Sequence, residues 1–176
     1  MIIDTLAKEG RTYTGLAGLD TARLKAMRNA SLRACFNRLD DTHYRLEFEG
    51  RILDREYIND AAARNVNATW YSLDSMQGGI VWIAIGCNHR VDYSRLVPVA
   101  LRKVRMLLVL GNDEQLRKQL GKAVPNIVAC RTMAEALHHA YTYEAYDVKV
   151  LFSPACNDGT PTEALGEAFR YEVNEL

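Results

Sequence analysis

The chain of 176 residues lacks a net charge: twenty-two acidic residues balance twenty-two basic ones. No block of five like charges occurs along it, which argues against a nucleic-acid footprint or a polybasic membrane surface. It also lacks an apolar run of bilayer length and an N-terminal leader of charged-then-apolar type, so no membrane partner is expected and the expected location is the cytoplasm. Low-complexity tracts are missing. The four cysteines, Cys35, Cys87, Cys130 and Cys156, are scattered without the close pairs of a structural zinc site. They read as small core residues of a reduced compartment, with no metal. Three chemical signatures are absent as well. Gly86-Cys87-Asn88-His89-Arg90 follows an apolar run but has neither the three-glycine spacing of a dinucleotide fingerprint nor the Lys-Ser/Thr pair of a P-loop. No Gly-x-Ser-x-Gly elbow exists, and spacing places no base beside Cys156, so a packed cysteine is expected there.

What is present fits one ordinary globular domain with a small appendage, at 48% hydrophobic and 25% charged residues. Residues 1–40 are expected to form an N-terminal helical segment, with Asp20 capping the helical spacing of "TARLKAMRNASLRACFNRL". Residues 41–176 read as the main domain. "HYRLEFEGRILDREYIND" alternates as a β-hairpin, with Tyr44, Leu46 and Phe48 on one face, Arg45 on the other, and a turn at Gly50. "YINDAAARNVNATW" then runs from a strand through an Asn59-Asp60 turn into a helix that Asn65 or Asn67 can cap.

Beyond it, strands and helices alternate. "IVWIAIG", "RMLLVLG", "NIVAC" and "YDVKVLFSP" are strands, the first too continuously apolar to be half exposed. Helices fall in "SRLVPVALRKV", "NDEQLRKQLGK", "TMAEALHHAYTYEA" and "PTEALGEAFRYEVNEL". The fold class is therefore α/β: a Rossmann-like, mostly parallel sheet with helices on both faces, preceded by an N-terminal helix and a β-hairpin. Ligands of such sheets collect outside the carboxyl ends of the strands, at the switch point.

Several side chains near that edge have two readings. His89 and Arg90 are either a meeting point for an anion or solvated loop residues. Arg45 is either an exposed cross-strand charge or a hand toward a phosphate or ribose. Asp60 can be an inexpensive helix cap. His138 and His139 are adjacent on a helix, face different sides, and read as surface residues.

The segments "HYRLEFEGRILDREYIND", "GGIVWIAIG…DYSRL", "LLVLGND", "TMAEAL" and "VLFSPAC", in order and at compatible spacing, resemble the C-terminal domain of the Mur ligases, and among them the D-glutamate-adding branch. The resemblance implies a bacterial cell-wall setting and a family reaction in which ATP hydrolysis drives amide-bond formation through an acyl-phosphate. It further implies that Arg45 and Asp60 correspond to residues that approach the nucleotide. Where the family reads Asp-Ser-Lys-Ala-Thr-Asn, this chain reads Asp60-Ala61-Ala62-Ala63-Arg64-Asn65, so Ala62 stands for the lysine and Arg64 for the threonine. The Gly-Gly-x-Asp-Lys-Gly-x-Asp loop becomes Ile85 to Asp92, with His89 in its altered centre. Ser-Pro-Ala-Cys-Ala-Ser-Phe-Asp becomes Ser153 to Thr160, with Asp158 where a serine would meet the amino-acid carboxylate.

The resemblance thus implies a degenerate amino-acid site at Ala62, Arg64, Asn65, His89, Asp92, Ser153 and Asp158. A lost lysine removes hydrogen bonds to anions worth roughly 1.5–3 kcal/mol each, and Asp158 repels a carboxylate. The family uses ATP and Mg, but no Gly-Lys-Thr segment occurs within these residues, so no cofactor and no catalytic residue are expected of the chain on its own. The expected role is a stand-alone, catalytically inactive binding or regulatory module linked to peptidoglycan precursor synthesis. Expected partners are an intact Mur ligase, another cell-wall enzyme or a second copy. The alternatives are the acceptor-domain subunit of a split ATP-dependent amide ligase working with a separate P-loop protein, and a small nucleotide sensor.

Overall fold

Hydrophobic alternation within continuous apolar strands determines how this sheet is buried. The structure, a computed structural model, describes residues 43–112, 114–145 and 147–176; the expected helix after Asp20 lies outside them. In chain order the strands are β1 (Glu47–Ile52), β2 (Arg55–Asn59), β3 (Gly79–Gly86), β4 (Val104–Gly111), β5 (Ile127–Cys130) and β6 (Val148–Phe152). The helices are α1 (Val66–Ser75), α2 (Val97–Lys103), α3 (Glu114–Leu120), α4 (Met133–Thr142) and α5 (Thr162–Asn174), with a 3₁₀ turn at Ser94–Leu96 before α2. The sheet order is β1-β2-β6-β3-β4-β5. Among the described strands only the β1–β2 pair is antiparallel.

In β3, Val81, Ile83 and Ile85 point into one layer with Leu137 and Ala140 of α4 and Phe169 and Val173 of α5. Ile80, Trp82 and Ala84 point into the other, with Leu73 of α1, Val99 of α2 and Leu116 and Leu120 of α3. Both faces are covered, so a strand without polar alternation loses nothing by burial. Trp82 is fully buried, and its indole N–H donates to the Ser153 carbonyl at 2.8 Å. That satisfies the one polar atom of a large apolar ring and ties β3 to the end of β6. The Rossmann-like expectation is met. Among the described residues no helix is long and apolar enough to cross a membrane.

The hairpin departs from expectation in two ways. Its turn is at Leu53-Asp54, both with positive φ (47° and 61°), which makes the two-residue loop whose twist matches the flanking strands. Gly50 instead sits at a break in register. Nor do Tyr44, Leu46 and Phe48 share a face. The chain from 43 to 46 is turn and bend rather than strand, with left-handed φ at Tyr44 and Leu46. Tyr44 therefore packs in the layer of α4 and α5, Leu46 packs against the opposite layer, and Phe48 is exposed.

Helix α1 starts as its sequence suggests. The Asn65 side chain accepts from the Ala68 N–H at 2.9 Å in an extended cap residue, satisfying an orphan donor of the first turn. Asp60 is not the cap: it is completely buried five residues earlier.

Candidate functional site

Strand order determines where a site can form. β3 passes on to β4 on one side, while β6, reached last, lies against its other side. The loops leaving the carboxyl ends of β3 and β6 therefore diverge, opening a crevice at the switch point. A cleft of about 450 Å³ lies there, and its lining includes Arg64, Asn65, His89, Arg90, Asp92 and Asn157. Of the residues that the resemblance assigns to an amino-acid site, Arg64, Asn65, His89 and Asp92 meet on its wall. Ala62, Ser153 and Asp158 lie off that wall.

Arg64 is engaged by its own chain. Its guanidinium donates to the Asn157 side-chain oxygen and the Thr160 carbonyl. It also donates to Thr162 Oγ1 at 3.4 Å and Asp158 Oδ1 at 3.2 Å. Asp158 in turn accepts from the Thr160 N–H at 3.1 Å and its hydroxyl at 2.9 Å. The loop from 157 to 162 is thus wrapped around one cation, whose fork of donors matches several acceptors at once. Asp158, read as a source of repulsion, is the anion that Arg64 neutralises.

The opposite wall, residues 87–93, is held by two side chains with no counterpart in the sequence reading. Gln115 Nε2 donates to the carbonyls of Cys87 (3.2 Å) and His89 (2.7 Å), and Gln115 Oε1 accepts from the Val91 N–H at 2.9 Å. One turn on, Gln119 accepts from the Tyr93 N–H at 2.7 Å and donates to the Val91 carbonyl at 2.8 Å. Each amide pairs with backbone as a strand would, and the i, i+4 spacing places both on one face of α3. Glutamines four apart on a helix beside a strand-end loop were the available signal. Gln115→Ala is expected to cost about 1–2 kcal/mol and to speed amide exchange at Val91, measured by NMR, while the sheet keeps its protection. Asp92 closes this wall by accepting from the Ser94 N–H at 3.0 Å; hydrogen bonds from Ser94 hold its carboxyl below the usual range. His89 and Arg90 are exposed.

Arg45 and Asp60 lie beneath this edge and face each other. Arg45 donates to Asp60 Oδ1 and, at 2.7 Å, to Ser72 Oγ. Asp60 also accepts from the Leu46 N–H at 3.3 Å and the Ser153 hydroxyl at 3.0 Å, and Ser153 meets Thr69 Oγ1 at 2.8 Å. Side-chain exposure is 6% for Arg45 and 0% for Asp60. Burial pushes the Asp60 carboxyl upward, opposed by Arg45 and by hydrogen bonds from the surrounding hydroxyls. This corrects the reading of Arg45 as an exposed cross-strand charge.

The cysteines also require a correction. Cys87 and Cys156 form a disulfide across the crevice, their Cα atoms 6.5 Å apart and 69 residues apart in sequence. Cys130 is free and buried, and Cys35 lies outside the described residues. Parallel neighbours β3 and β6 end side by side, so residues just past each end meet; separation along the chain conceals this. Among the described residues no group of acidic, His or Cys side chains is arranged to hold a metal ion.

The class this geometry defines is a Rossmann-like α/β domain with a switch-point cleft between the β3 and β6 loops. The chain is a Mur ligase C-terminal-like domain, related to UDP-N-acetylmuramoylalanine–D-glutamate ligase. It is 35% identical over 98% of its length to that ligase from Salinibacter ruber, and 34% identical over 86% to the one from Christiangramia forsetii. It spans only 39% and 35% of those relatives' lengths. No family model matches it. Among solved structures, Escherichia coli FolC in complex with ADP superposes with a TM-score of 0.52 at 18% identity, over 74% of this chain and 32% of that one; this likeness concerns the fold alone.

Proposed function

We propose that this domain is a catalytically silent relative of the ligase C-terminal domain, a binding or regulatory module in peptidoglycan precursor synthesis whose amino-acid site is closed by its own side chains. Arg64 carries the reading. Both terminal nitrogens of its guanidinium donate to Asn157, Asp158, Thr160 and Thr162, while its buried Nε–H has no partner among the described residues. An incoming carboxylate would have to displace Asp158, a like charge already paired in place. The buried Arg45–Asp60 pair supports the same view for the nucleotide. The docking partner in this reading is an intact Mur ligase, another cell-wall enzyme or a second copy.

Titration calorimetry and amide shift mapping with D-glutamate, ADP and ATP–Mg test it. The expected result is no heat and no shift at Ala62, Arg64 or Asp158. Saturable D-glutamate shifts at those residues would sink the proposal. A second reading is the acceptor domain of a split ATP-dependent ligase. It is favoured by the exposed guanidinium of Arg90 and the exposed imidazole of His89, which line the same cleft as Arg64. ADP release that depends on both this chain and a separate P-loop protein would establish that reading instead.

A further inference from the structure

We infer that Cys87 and Cys156 are a redox-reversible clamp on the cleft, locking the loop after β3 to the loop after β6 when oxidised and releasing them when reduced. Three observations support it. First, the bond joins the two walls of the crevice directly: Cys87 begins the segment held by Gln115, and Cys156 itself lines the cleft. The bond therefore lies at the cleft wall, with both residues almost fully buried.

Second, each loop has anchors besides the bond. The β6 loop is anchored independently by Ile85 N–H to the Pro154 carbonyl (3.2 Å) and Ala155 N–H to the Ala63 carbonyl (3.1 Å). The β3 loop is anchored by Gln115 and Gln119. Both redox states can therefore keep the same sheet and differ only in how the walls are joined. Third, Ala155, the residue before Cys156, is held at φ 65°, a left-handed conformation that an L side chain adopts only when its surroundings impose it. Opening the bond removes one of the constraints that impose it.

The oxidant is a low-molecular-weight disulfide. The Cys156 thiolate attacks it, breaking its S–S bond and expelling one thiolate; the Cys87 thiolate then attacks the mixed disulfide at the Cys156 sulfur, forming the protein bond and expelling the second. The two protons lost by the cysteines are taken up by the two expelled thiolates. Reduction by a dithiol reverses the sequence. Cys130 is a poor competitor, because burial pushes its thiol up to about 11 and leaves little thiolate.

The test uses the full chain equilibrated with oxidised glutathione or with dithiothreitol. Non-reducing peptide mapping is expected to find the Cys87–Cys156 crosslink in the first sample and neither a crosslink nor unfolding in the second. Hydrogen exchange is expected to rise on reduction at residues 86–92 and 153–158 and to stay unchanged in β4 and β5. The Tm is expected to fall by about 10 °C, as for opening a long loop in a domain of this size. C87S/C156S should behave as the reduced protein under both conditions, and C130S as the wild type. Three results would overturn the clamp: no crosslink in oxidised glutathione, a crosslink that resists dithiothreitol in the folded protein, or a reversible crosslink with identical loop exchange in both states.

Discussion

Asp60→Ala is expected to destabilise the domain by about 3–5 kcal/mol, because it leaves the Arg45 guanidinium buried without its anion. Arg45 is almost completely enclosed, and a guanidinium is the side-chain cation that stays charged. The hydroxyls of Ser72 and Ser153 remain, but they neutralise no charge. The converse replacement, Arg45→Met, should be milder and should depend on pH, since the abandoned group can protonate. Burial already drives the Asp60 carboxyl upward, and removing Arg45 takes away the largest opposing influence.

With the folded-state pKa above the unfolded one, the folded protein holds the proton longer, so the unfolded state binds fewer protons in that window. Arg45→Met should therefore be most stable at acidic pH and lose stability as pH rises through the folded pKa. Arg45→Met with Asp60→Leu, which removes both charges, is expected to be less destabilised than Asp60→Ala alone. Urea denaturation of the three variants across pH checks these outcomes. Equal losses at all pH values would mean that the pair is not electrostatically coupled.

Gly86→Ala is the other substitution with a large expected effect. A Cβ at Gly86 would lie 1.8 Å from the Asn112 carbonyl oxygen and 2.4 Å from its carbon. Both are backbone, so no side-chain rotation relieves the overlap, and the ends of β3 and β4 must separate. The cost expected for such overpacking is about 3 kcal/mol, at the upper end of its usual range. Gly111→Ala provides the contrast. Gly111 has φ +85° but open space, its nearest neighbour being the Gly86 carbonyl oxygen at 3.7 Å, so only conformational strain of about 1–2 kcal/mol is expected. Thermal melts should rank Gly86→Ala below Gly111→Ala. Amide spectra should show that only the former displaces residues 87–93, because that loop hangs from the displaced strand end.

Much of the fold was legible because its signals are local. The unbroken apolar run of β3 calls for burial on both faces, and alternating strand and helix patterns call for parallel crossovers. Asn65 and Asn67 both stand where a helix cap is expected, and Asn65 is the one that caps α1 in the structure. The hairpin was misread where a local signal competed with a distant one. Gly50 has the chemistry of a turn, but the turn formed at Leu53-Asp54. Tyr44 and Leu46 took left-handed backbone in the stretch where Arg45 reaches Asp60, and alternation was lost there.

The amino-acid sequence by itself determined the α/β class, the order of the elements and the edge of the sheet at which a cleft would open, because periodicity, caps and turn residues act over a few positions. Tertiary structure alone decided how the chemistry-bearing residues are used. It turned Arg45 onto Asp60, wrapped Asn157 to Thr162 around Arg64, set Gln115 and Gln119 against the β3 loop, and joined Cys87 to Cys156. Each of those pairings spans at least 15 residues. Their partners are chosen by which strand ends meet in the sheet, a property of the packed fold that no local pattern encodes.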